Sequence, residues 1–306
     1  MKSALDCIPC MVNHALHVSK MVTRCPETRK RIMKKTLEQI ATIDFDSPPP
    51  EMARNLHAII RGITGVDDPY EELKDMSTSI ALQLLPELRA VVENSPDSFE
   101  TIVRLVIAGN IIDFGADSDF QLSTARDRVL EVLSMPLDLN AVRELKQKLD
   151  SARNILYLCD NCGEAVIDRL LIEPYKDKIT VAVRGGAILN DVTPREAEHS
   201  GLHELTRVID NGDRSPGTVL KHVDDEFMRL FNSADLIISK GQGNFETLSD
   251  TDRPICFLLR IKCVEVLNNI GDGELGSIQV INKNFHSSAS KPAVHTAQCC
   301  EPAEVC

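Results

Sequence analysis

The chain contains no tryptophan, and only 4% of its 306 residues are aromatic. Proteins that bind single-stranded nucleic acid stack the bases on aromatic side chains, so this scarcity argues against such a surface. Hydrophobic residues nevertheless make up 43% of the chain, which is enough for a sizeable core. We therefore expect a globular protein whose core is built from Ile, Leu, Val and Ala.

Positive charge is also in short supply. The chain has 34 Lys and Arg against 46 Asp and Glu, and its formal net charge is −12. Because an acidic protein repels nucleic acids and anionic membranes, neither is an expected partner. A phosphate ester can bind such a chain only where a metal ion and basic side chains reverse the local field.

A long hydrophobic run is missing as well. No stretch reaches the roughly 18 apolar residues that a membrane span needs. Residues 1–10 contain an acid and two cysteines, where a signal peptide would need an apolar region. The sequence therefore predicts a soluble, cytoplasmic protein, and it does not indicate an oligomeric state.

Helical patterns dominate the first half of the chain. Apolar residues recur at helical spacing in several segments, which also contain proline and glycine at the positions where helices begin and end. These segments are 27–43, 51–65, 71 to about 90, 98–115 and 139–152. They predict an N-terminal helical region.

The pattern changes near residue 154, where short apolar runs begin to alternate with helical segments. The predicted strands are 155–159, 179–183, 205–209, 235–239 and 255–259, and the predicted helices between them include 163–175 and 222–234. This alternation is typical of βαβ units and a parallel sheet that is buried on both faces. We predict an α/β protein with three layers, α/β/α, around a mostly parallel sheet.

The predicted organisation has three parts. Residues 1–95 form the helical region, and residues 96–286 form the α/β/α metal-binding catalytic domain. Residues 287–306 lack periodicity and are rich in Ser, Ala, Pro and Cys, so we expect a disordered tail.

Unusual polar residues directly follow four of the predicted strands. In an open parallel sheet these positions share one edge, at the carboxyl ends of the strands, and ligands bind there. The residues are Asp160, Asn161 and Glu164; Arg184 and Asp191; Asp210 and Asp213; and Lys240, Gly241, Gly243 and Asn244. Their convergence predicts a functional site, although each group alone is more often a helix cap or a turn than a binding site.

The chemistry of these residues suits a hard metal ion and a phosphate group. Asp and Asn oxygens are good ligands for Mg²⁺ or Mn²⁺. The glycines allow backbone N–H groups to approach a phosphate closely. Lys240 is predicted to contact a phosphoryl oxygen as a point charge, and Arg184 is predicted to bind one with two hydrogen bonds.

Several of these segments, in this order, resemble the metal-dependent damage-control phosphatases, a family that includes a human protein named as an acidic-residue methyltransferase. They are DNCGEAVIDRLLIE, VRGGAILNDVT, ADLIISKGQGNFETL and FLLRIKC, preceded by DCIPCMV, DPYEELK and AGNIIDFG. The resemblance covers residues 1 to about 285. It implies a helical region packed on an α/β/α domain. It also implies a phosphatase for small phosphorylated metabolites, such as sugar phosphates or damaged phospho-metabolites.

The resemblance also implies a metal site. It assigns a divalent metal (Mg²⁺, Mn²⁺, Co²⁺ or Ni²⁺) to Asp160, Asn161 and Asp191. Such an ion binds a phosphoryl oxygen and lowers the pKa of a bound water. Lys240 would then offset charge on the transferred group. Glu164 would act as a base or orient the water, unless it is simply a first-turn glutamate of a helix.

Further substrate contacts follow from the same motifs. Asn110 and Asp113 are expected to face the cleft. Lys262 aligns with the Lys of an Arg-Thr-x-Lys motif that larger members carry, but residues 259–262 read Leu-Arg-Ile-Lys here. The sugar-phosphate preference tied to that motif is therefore not implied for this chain. The paired N-terminal cysteines resemble the smaller microbial and archaeal members.

The cysteines leave a second metal site open. Cys7 and Cys10 form one CxxC pair, and Cys159 and Cys162 form another. Two such pairs can build a tetrahedral zinc site, and Cys7 with Cys10 is the better candidate for a second metal. Alternatively, Cys159 ends a buried strand and serves only as a small hydrophobic residue.

Two other functions remain open from the sequence. One is a carboxyl methyltransferase that uses S-adenosylmethionine, although the first strand is followed by DNCGE rather than by a loop with several glycines. The other is a non-catalytic protein that binds metals or thiols through its cysteine pairs. Turnover of a simple phosphate ester would separate the phosphatase from both.

Overall fold

The computed structural model of the chain describes residues 1–109 and 122–285. Asn110, Asp113 and the tail predicted for 287–306 lie outside these ranges. Within them, no helix is long and apolar enough to cross a membrane.

The N-terminal part of the described chain is helical. Its helices are α1 (Cys7–Val22), α2 (Pro26–Ile40), α3 (Pro49–Thr64) and α4 (Glu71–Glu93). Helices α2 and α3 begin with prolines, whose missing N–H would have no partner in a first turn anyway. Helix α3 ends at Gly65, which has a positive φ of 72°. Helices α1 to α3 bury a small core of their own, which includes Ala15, Ile32 and Ile60.

Helices α5 (Ser98–Ala108), α6 (Leu122–Glu131) and α7 (Leu139–Ser151) lead into the sheet. Helix α5 is capped by Asp97, whose side chain accepts a hydrogen bond from the Glu100 N–H. Both α4 and α5 pack on α8 (Cys162–Ile172), and α4 also contacts the short helix α9 (Pro194–His199). The division of the chain at residue 95 stays a prediction.

Six strands of the described residues form one sheet in the order β3-β2-β1-β4-β5-β6. Strands β1 to β5 are parallel, and β6 pairs antiparallel with β5 at the edge. Their bounds are Ile155–Leu158, Ile179–Val183, Arg207–Asp210, Leu236–Lys240, Ile255–Arg260 and Ile278–Lys283. The mostly parallel sheet is confirmed. Strand β3 begins two residues later than predicted, and β6 was not predicted, because both are edge strands with partly exposed side chains.

Helices cover both faces of the sheet. Ile155 and Tyr157 of β1 belong to the core beneath α4, α5 and α8. Leu156 and Leu158 point to the opposite core, which is covered by α10 (Asp225–Ser233), α11 (Gln242–Leu248) and α12 (Val264–Ile270). This alternation is what a strand that is buried on both faces requires. The predicted three-layer α/β/α architecture is therefore confirmed.

A buried histidine pair in the helical region makes stability depend on pH. His14 Nε2 lies 2.9 Å from His57 Nε2. Burial lowers the pKa of His14 to about 4 and that of His57 to about 3, and each pKa is lowered further by a neighbouring cationic group. An unfolded chain binds protons at these histidines near pH 6.5, which the folded protein does not. The contribution of this pair to the free energy of unfolding should therefore fall between pH 6.5 and pH 4, which is measured as the difference between the unchanged protein and a variant that lacks one of the two histidines.

The expected slope is about 1.4 kcal/mol per pH unit for each histidine. Urea unfolding at pH 7, 6 and 5 should show a shallower loss of stability in His57→Phe than in the unchanged protein. His203→Gln is the matched control, because His203 is exposed. Equal slopes in the unchanged protein and His57→Phe would contradict this account.

Candidate active site

Two strand-end loops are joined at the carboxyl edge of the sheet. The Val192 N–H donates to the Asp160 carbonyl at 2.9 Å, and the Cys162 N–H donates to the Asn190 carbonyl at 3.0 Å. Asn161 and Asp191 face each other in an isolated antiparallel bridge. The loops after β1 and β2 therefore bring together the three residues that were predicted to hold a metal. They do so beside the point where the strand order reverses, which is where open sheets bind ligands.

The three side chains form an acidic cluster around one guanidinium group. Arg184 Nε donates to Asp191 Oδ2 at 2.7 Å, and Arg184 Nη2 lies 3.7 Å from Asp160 Oδ1. The Asn161 amide donates to Asp160 Oδ2 at 3.1 Å. Asp191 is only 2% exposed. Burial raises the pKa of Asp191 to about 7, with a further contribution from the Asp160 charge, although Arg184 opposes the shift.

This donor set fits a hard divalent ion. Two carboxylates and one amide oxygen are the ligands that such ions prefer. Two buried carboxylates with one guanidinium between them carry excess negative charge, which a divalent ion would balance. The residues present are therefore suited to the metal that the resemblance implies.

A cavity of about 620 Å³ opens above the cluster. Asp160, Asn161 and Asp191 line one end of it. The remaining wall is formed by α1, by the start of α3, by α11, and by the start of α12 with the two residues before it. Its polar lining includes Cys7, Cys10, Gln242, Glu246, Lys262 and Cys263. The acidic cluster is therefore accessible to a small molecule.

Comparison with known proteins agrees with this geometry. Residues 3–278 match the family model described as Damage-control phosphatase ARMT1-like domain. The chain belongs to this damage-control phosphatase family. Membership supports a phosphatase function.

Relatives match over most of their length. A damage-control phosphatase of Pyrococcus horikoshii is 35% identical over 276 residues, which are 88% of this chain and 94% of the relative. A damage-control phosphatase of Archaeoglobus fulgidus is 32% identical over 279 residues, which are 89% and 96% of the two chains. The crystal structure of a DUF89 family protein from Pyrococcus horikoshii matches with a TM-score of 0.84 and 33% identity. This match covers 92% of this chain and 99% of that chain.

Glu164 forms a capping box with Asn161 at the start of α8. The Asn161 N–H donates to Glu164 Oε2 at 3.3 Å, and Glu164 Oε1 accepts a hydrogen bond from Lys240. Burial raises the pKa of Glu164 to about 8, although Lys240 opposes this shift. Both oxygens are thus used within the protein. The structure supports the first-turn alternative for Glu164, which fixes the backbone of Asn161.

The prediction that Lys240 contacts the phosphoryl group is wrong. Its ammonium is fully buried and donates to the Val106 carbonyl at 2.7 Å, to Asp168 Oδ1 at 2.6 Å and to Glu164. An ammonium group has three donors, so all are used inside the protein. Lys240 instead neutralises two buried carboxylates behind the cavity.

Arg184 and Asn244 also have partners within the protein. The Asn244 amide donates to the Lys240 carbonyl at 2.8 Å, and its oxygen accepts from Arg184 Nη1 at 3.1 Å and from Thr218 at 2.8 Å. Arg184 Nε is bound to Asp191, whereas Arg184 Nη2 lies 3.7 Å from Asp160 Oδ1 and has no hydrogen-bond partner among the described residues. The phosphate contact of Arg184 therefore stays a prediction. Arg184 and Asn244 also act on the position of the carboxylates.

Gly241, which follows β4, and Gly243, in the first turn of α11, allow other parts of the chain to approach closely. A Cβ on Gly241 would lie 1.9 Å from Asp160 Oδ2, and a Cβ on Gly243 would lie 2.0 Å from the Pro216 carbonyl oxygen. The Gly241 N–H donates to the Leu258 carbonyl, so the phosphate contact predicted for that N–H is wrong. Gly243 lines the cavity, and its phosphate contact stays a prediction.

The two cysteine pairs lie in different surroundings, so the four-cysteine zinc site is wrong. Cys159 and Cys162 are buried, and Cys162 Sγ donates to the Asp191 carbonyl at 3.3 Å. Cys7 and Cys10 line the cavity beside Cys263, and burial, with a contribution from Cys263, raises the pKa of both. Over residues 1–109 and 122–285, no three or more His, Cys, Asp or Glu side chains are placed to hold a metal. The second metal predicted at Cys7 and Cys10 therefore has no such ligand group.

Sequence reasoning assigned no role to several polar residues of the cavity, and three of them lie close together. These are Gln242, Glu246 and Cys263, all inside the segments that carry the family resemblance. Lys262 was predicted to contact substrate, and the structure places it at the cavity with an exposed side chain. Gln242 and Glu246 are four residues apart in one helix. This spacing could have indicated that their side chains share one face of that helix.

Proposed function

We propose that this chain is a divalent-metal-dependent phosphomonoesterase that hydrolyses small phosphorylated metabolites. The observation that carries the proposal is the cluster of two buried carboxylates and one amide at the end of an open cavity. Phosphatase function follows from the family, whereas metal dependence and the ester class are our inference from this site. The cytoplasmic location and the absence of nucleic-acid partners stay predictions.

The cluster would hold the ion through side-chain oxygens. Asp160 and Asp191 would contribute carboxylates, and Asn161 would contribute its amide oxygen. When bound, a divalent ion supplies Lewis acidity toward the phosphoryl group and lowers the pKa of water. Mg²⁺, Mn²⁺, Co²⁺ and Ni²⁺ are the candidates, because all accept oxygen ligands.

Other residues hold these ligands in place. Arg184 fixes Asp191 by a hydrogen bond of 2.7 Å and is itself fixed by Asn244. Glu164 fixes the backbone of Asn161 at the start of α8. Reaction rates depend strongly on such positioning, because a reacting group that is held in place needs no reorganisation.

The cavity favours a monoester of a small alcohol. Its volume lies within the range of about 300–1,000 Å³ that is usual for small-molecule sites. Among its described lining residues, Lys262 is the only lysine or arginine, against several carboxylates. A polyphosphate would be repelled by that field, whereas one phosphoryl group at the metal would not.

The test is hydrolysis of p-nitrophenyl phosphate by metal-stripped protein, with Mg²⁺, Mn²⁺, Co²⁺, Ni²⁺ and Zn²⁺ added back singly. We expect turnover that depends on the added ion and is lost with a chelator. Equal turnover in the stripped protein would refute metal dependence. Absence of turnover with every ion, for this ester and for sugar phosphates, would favour methyl transfer or non-catalytic binding.

A further inference from the structure

Glu246 is a buried carboxyl group in the wall of the cavity. It is 8% exposed and lies on α11, one turn after Gln242. Gln242 Nε2 donates to Glu246 Oε1 at 2.9 Å. The amide of Gln242 is itself held, because its oxygen accepts the Lys262 N–H at 2.8 Å and its nitrogen lies 3.5 Å from Cys263 Sγ. One oxygen of Glu246 is therefore anchored in a fixed direction.

The second oxygen of Glu246 has no such partner. Within residues 1–109 and 122–285, no protein group donates a hydrogen bond to Oε2. An oxygen in the wall of a cavity that has no protein donor can accept a hydrogen bond from a bound ligand, so this position favours a ligand that supplies a donor. Because Glu246 lines the same cavity as Asp160 and Asp191, that ligand is the molecule whose phosphoryl group reaches the acidic cluster.

The electrostatic surroundings agree with a neutral donor. Burial raises the pKa of Glu246 to about 7, and the Asp160 charge adds to the shift, whereas the hydrogen bond from Gln242 and the charge of the N-terminal ammonium group oppose it. That ammonium group donates to the Glu246 backbone carbonyl at 2.6 Å. No lysine or arginine side chain forms an ion pair with Glu246 in the described chain. A hydroxyl group can bond to such a carboxyl in either protonation state, because it both donates and accepts.

We propose that Glu246, positioned by Gln242, is a specificity residue that accepts a hydrogen bond from a hydroxyl group on the alcohol part of the phosphate ester. This inference rests on the proposed phosphatase function and assigns to it a residue that selects hydroxylated alcohols. The acidic cluster and its metal ion bind the phosphoryl group of the substrate, and Glu246 contacts a hydroxyl group on the alcohol part. Gln242 does not touch the substrate in this account and acts only through Glu246.

The test compares two esters of three-carbon alcohols, glycerol phosphate and n-propyl phosphate, which differ in their hydroxyl groups. We expect kcat/KM to favour glycerol phosphate by about 10- to 100-fold, the range for a hydrogen bond to a charged group. Glu246→Leu should bring this ratio close to one, mainly by lowering kcat/KM for glycerol phosphate. Glu246→Gln retains an acceptor and should give an intermediate ratio.

Glu265→Leu is the matched control, because Glu265 lines the same cavity from α12 and is not bonded to Gln242. It should keep the preference of the unchanged protein. Gln242→Ala should lower the preference without changing n-propyl phosphate turnover, which a purely structural role would not produce. A preference that survives in both Glu246→Leu and Glu246→Gln would overturn the proposal.

Binding gives a second measurement that does not need turnover. Calorimetric titration of metal-loaded protein with the phosphonate analogue of each ester, which cannot be hydrolysed, should show tighter binding of the hydroxylated compound in the unchanged protein and equal Kd values in Glu246→Leu. Equal Kd values for both analogues in the unchanged protein would overturn the inference. Failure of the proposed function has a different signature, since p-nitrophenyl phosphate would then not be hydrolysed with any ion.

Discussion

Replacing Asp160 with asparagine will lower metal-dependent turnover of p-nitrophenyl phosphate by at least about 100-fold, while the thermal midpoint stays unchanged or rises. Loss of a preorganised electrostatic group at a reaction centre typically costs 10²- to 10³-fold. The fold should survive, because Asn has the shape of Asp and Arg184 keeps its bond to Asp191. Removing one of two neighbouring buried carboxylates also relieves their repulsion.

Asp210→Asn is the matched control for this experiment. Asp210 also ends a parallel strand, but it is exposed and does not line the cavity. Its variant should keep full turnover. If Asp160→Asn and Asp210→Asn had the same activity at saturating metal, Asp160 would not be a ligand.

Replacing Lys240 with methionine will destabilise the protein by about 3–5 kcal/mol, the usual cost of leaving buried charges without their partner. Lys240, Glu164 and Asp168 are all fully buried, so water cannot take the place of the ammonium group. Chemical unfolding of the variant at pH 7 measures this loss. Lys34→Met is the control, since Lys34 is exposed on α2, and it should change stability by less than about 0.5 kcal/mol.

The loss in Lys240→Met should shrink at acidic pH. Burial raises the pKa of both Glu164 and Asp168, and Lys240 opposes that shift. Without the ammonium group their pKa values in the folded protein rise further above the unfolded values. The two acids therefore bind protons more tightly when folded, and they destabilise the variant less as the pH falls. A variant with unchanged stability and only a raised KM would instead mean that Lys240 contacts the substrate.

The sheet was predictable because parallel strands that are buried on both faces are short apolar runs. Strands β1, β2, β4 and β5 are of this kind, and the polar residues after them marked the edge where Asp160 and Asp191 meet. The edge strand β6 was missed because only alternate residues of it are buried. A half-exposed strand at the end of a sheet has a weaker apolar signal.

The role of Lys240 was mispredicted because a sequence motif gives the position of a residue along the chain. It does not give the direction in which the side chain points. Side chains alternate along β4, so Lys240 shares a face with Leu236 and Ile238. Both of these pack in the core beneath α8. The alternation alone thus indicates that the ammonium points toward α8, where Asp168 lies, and not toward the cavity.

The role of Glu246 could not be predicted from the periodicity of the sequence, as the direction of Lys240 could. Its distance from Gln242 in sequence indicates a shared helix face. The burial of its carboxyl group, however, depends on α1 and on the segment around Cys263. These parts of the chain are far apart in sequence and meet only in the folded protein.

Anomalous X-ray diffraction from crystals soaked in Mn²⁺ would test the central claim most directly. The account predicts an anomalous peak within about 2–2.5 Å of side-chain oxygens of Asp160, Asn161 and Asp191, and no such peak in Asp160→Asn crystals. A peak among the sulfur atoms of Cys7, Cys10 and Cys263 with none at the carboxylates would contradict it.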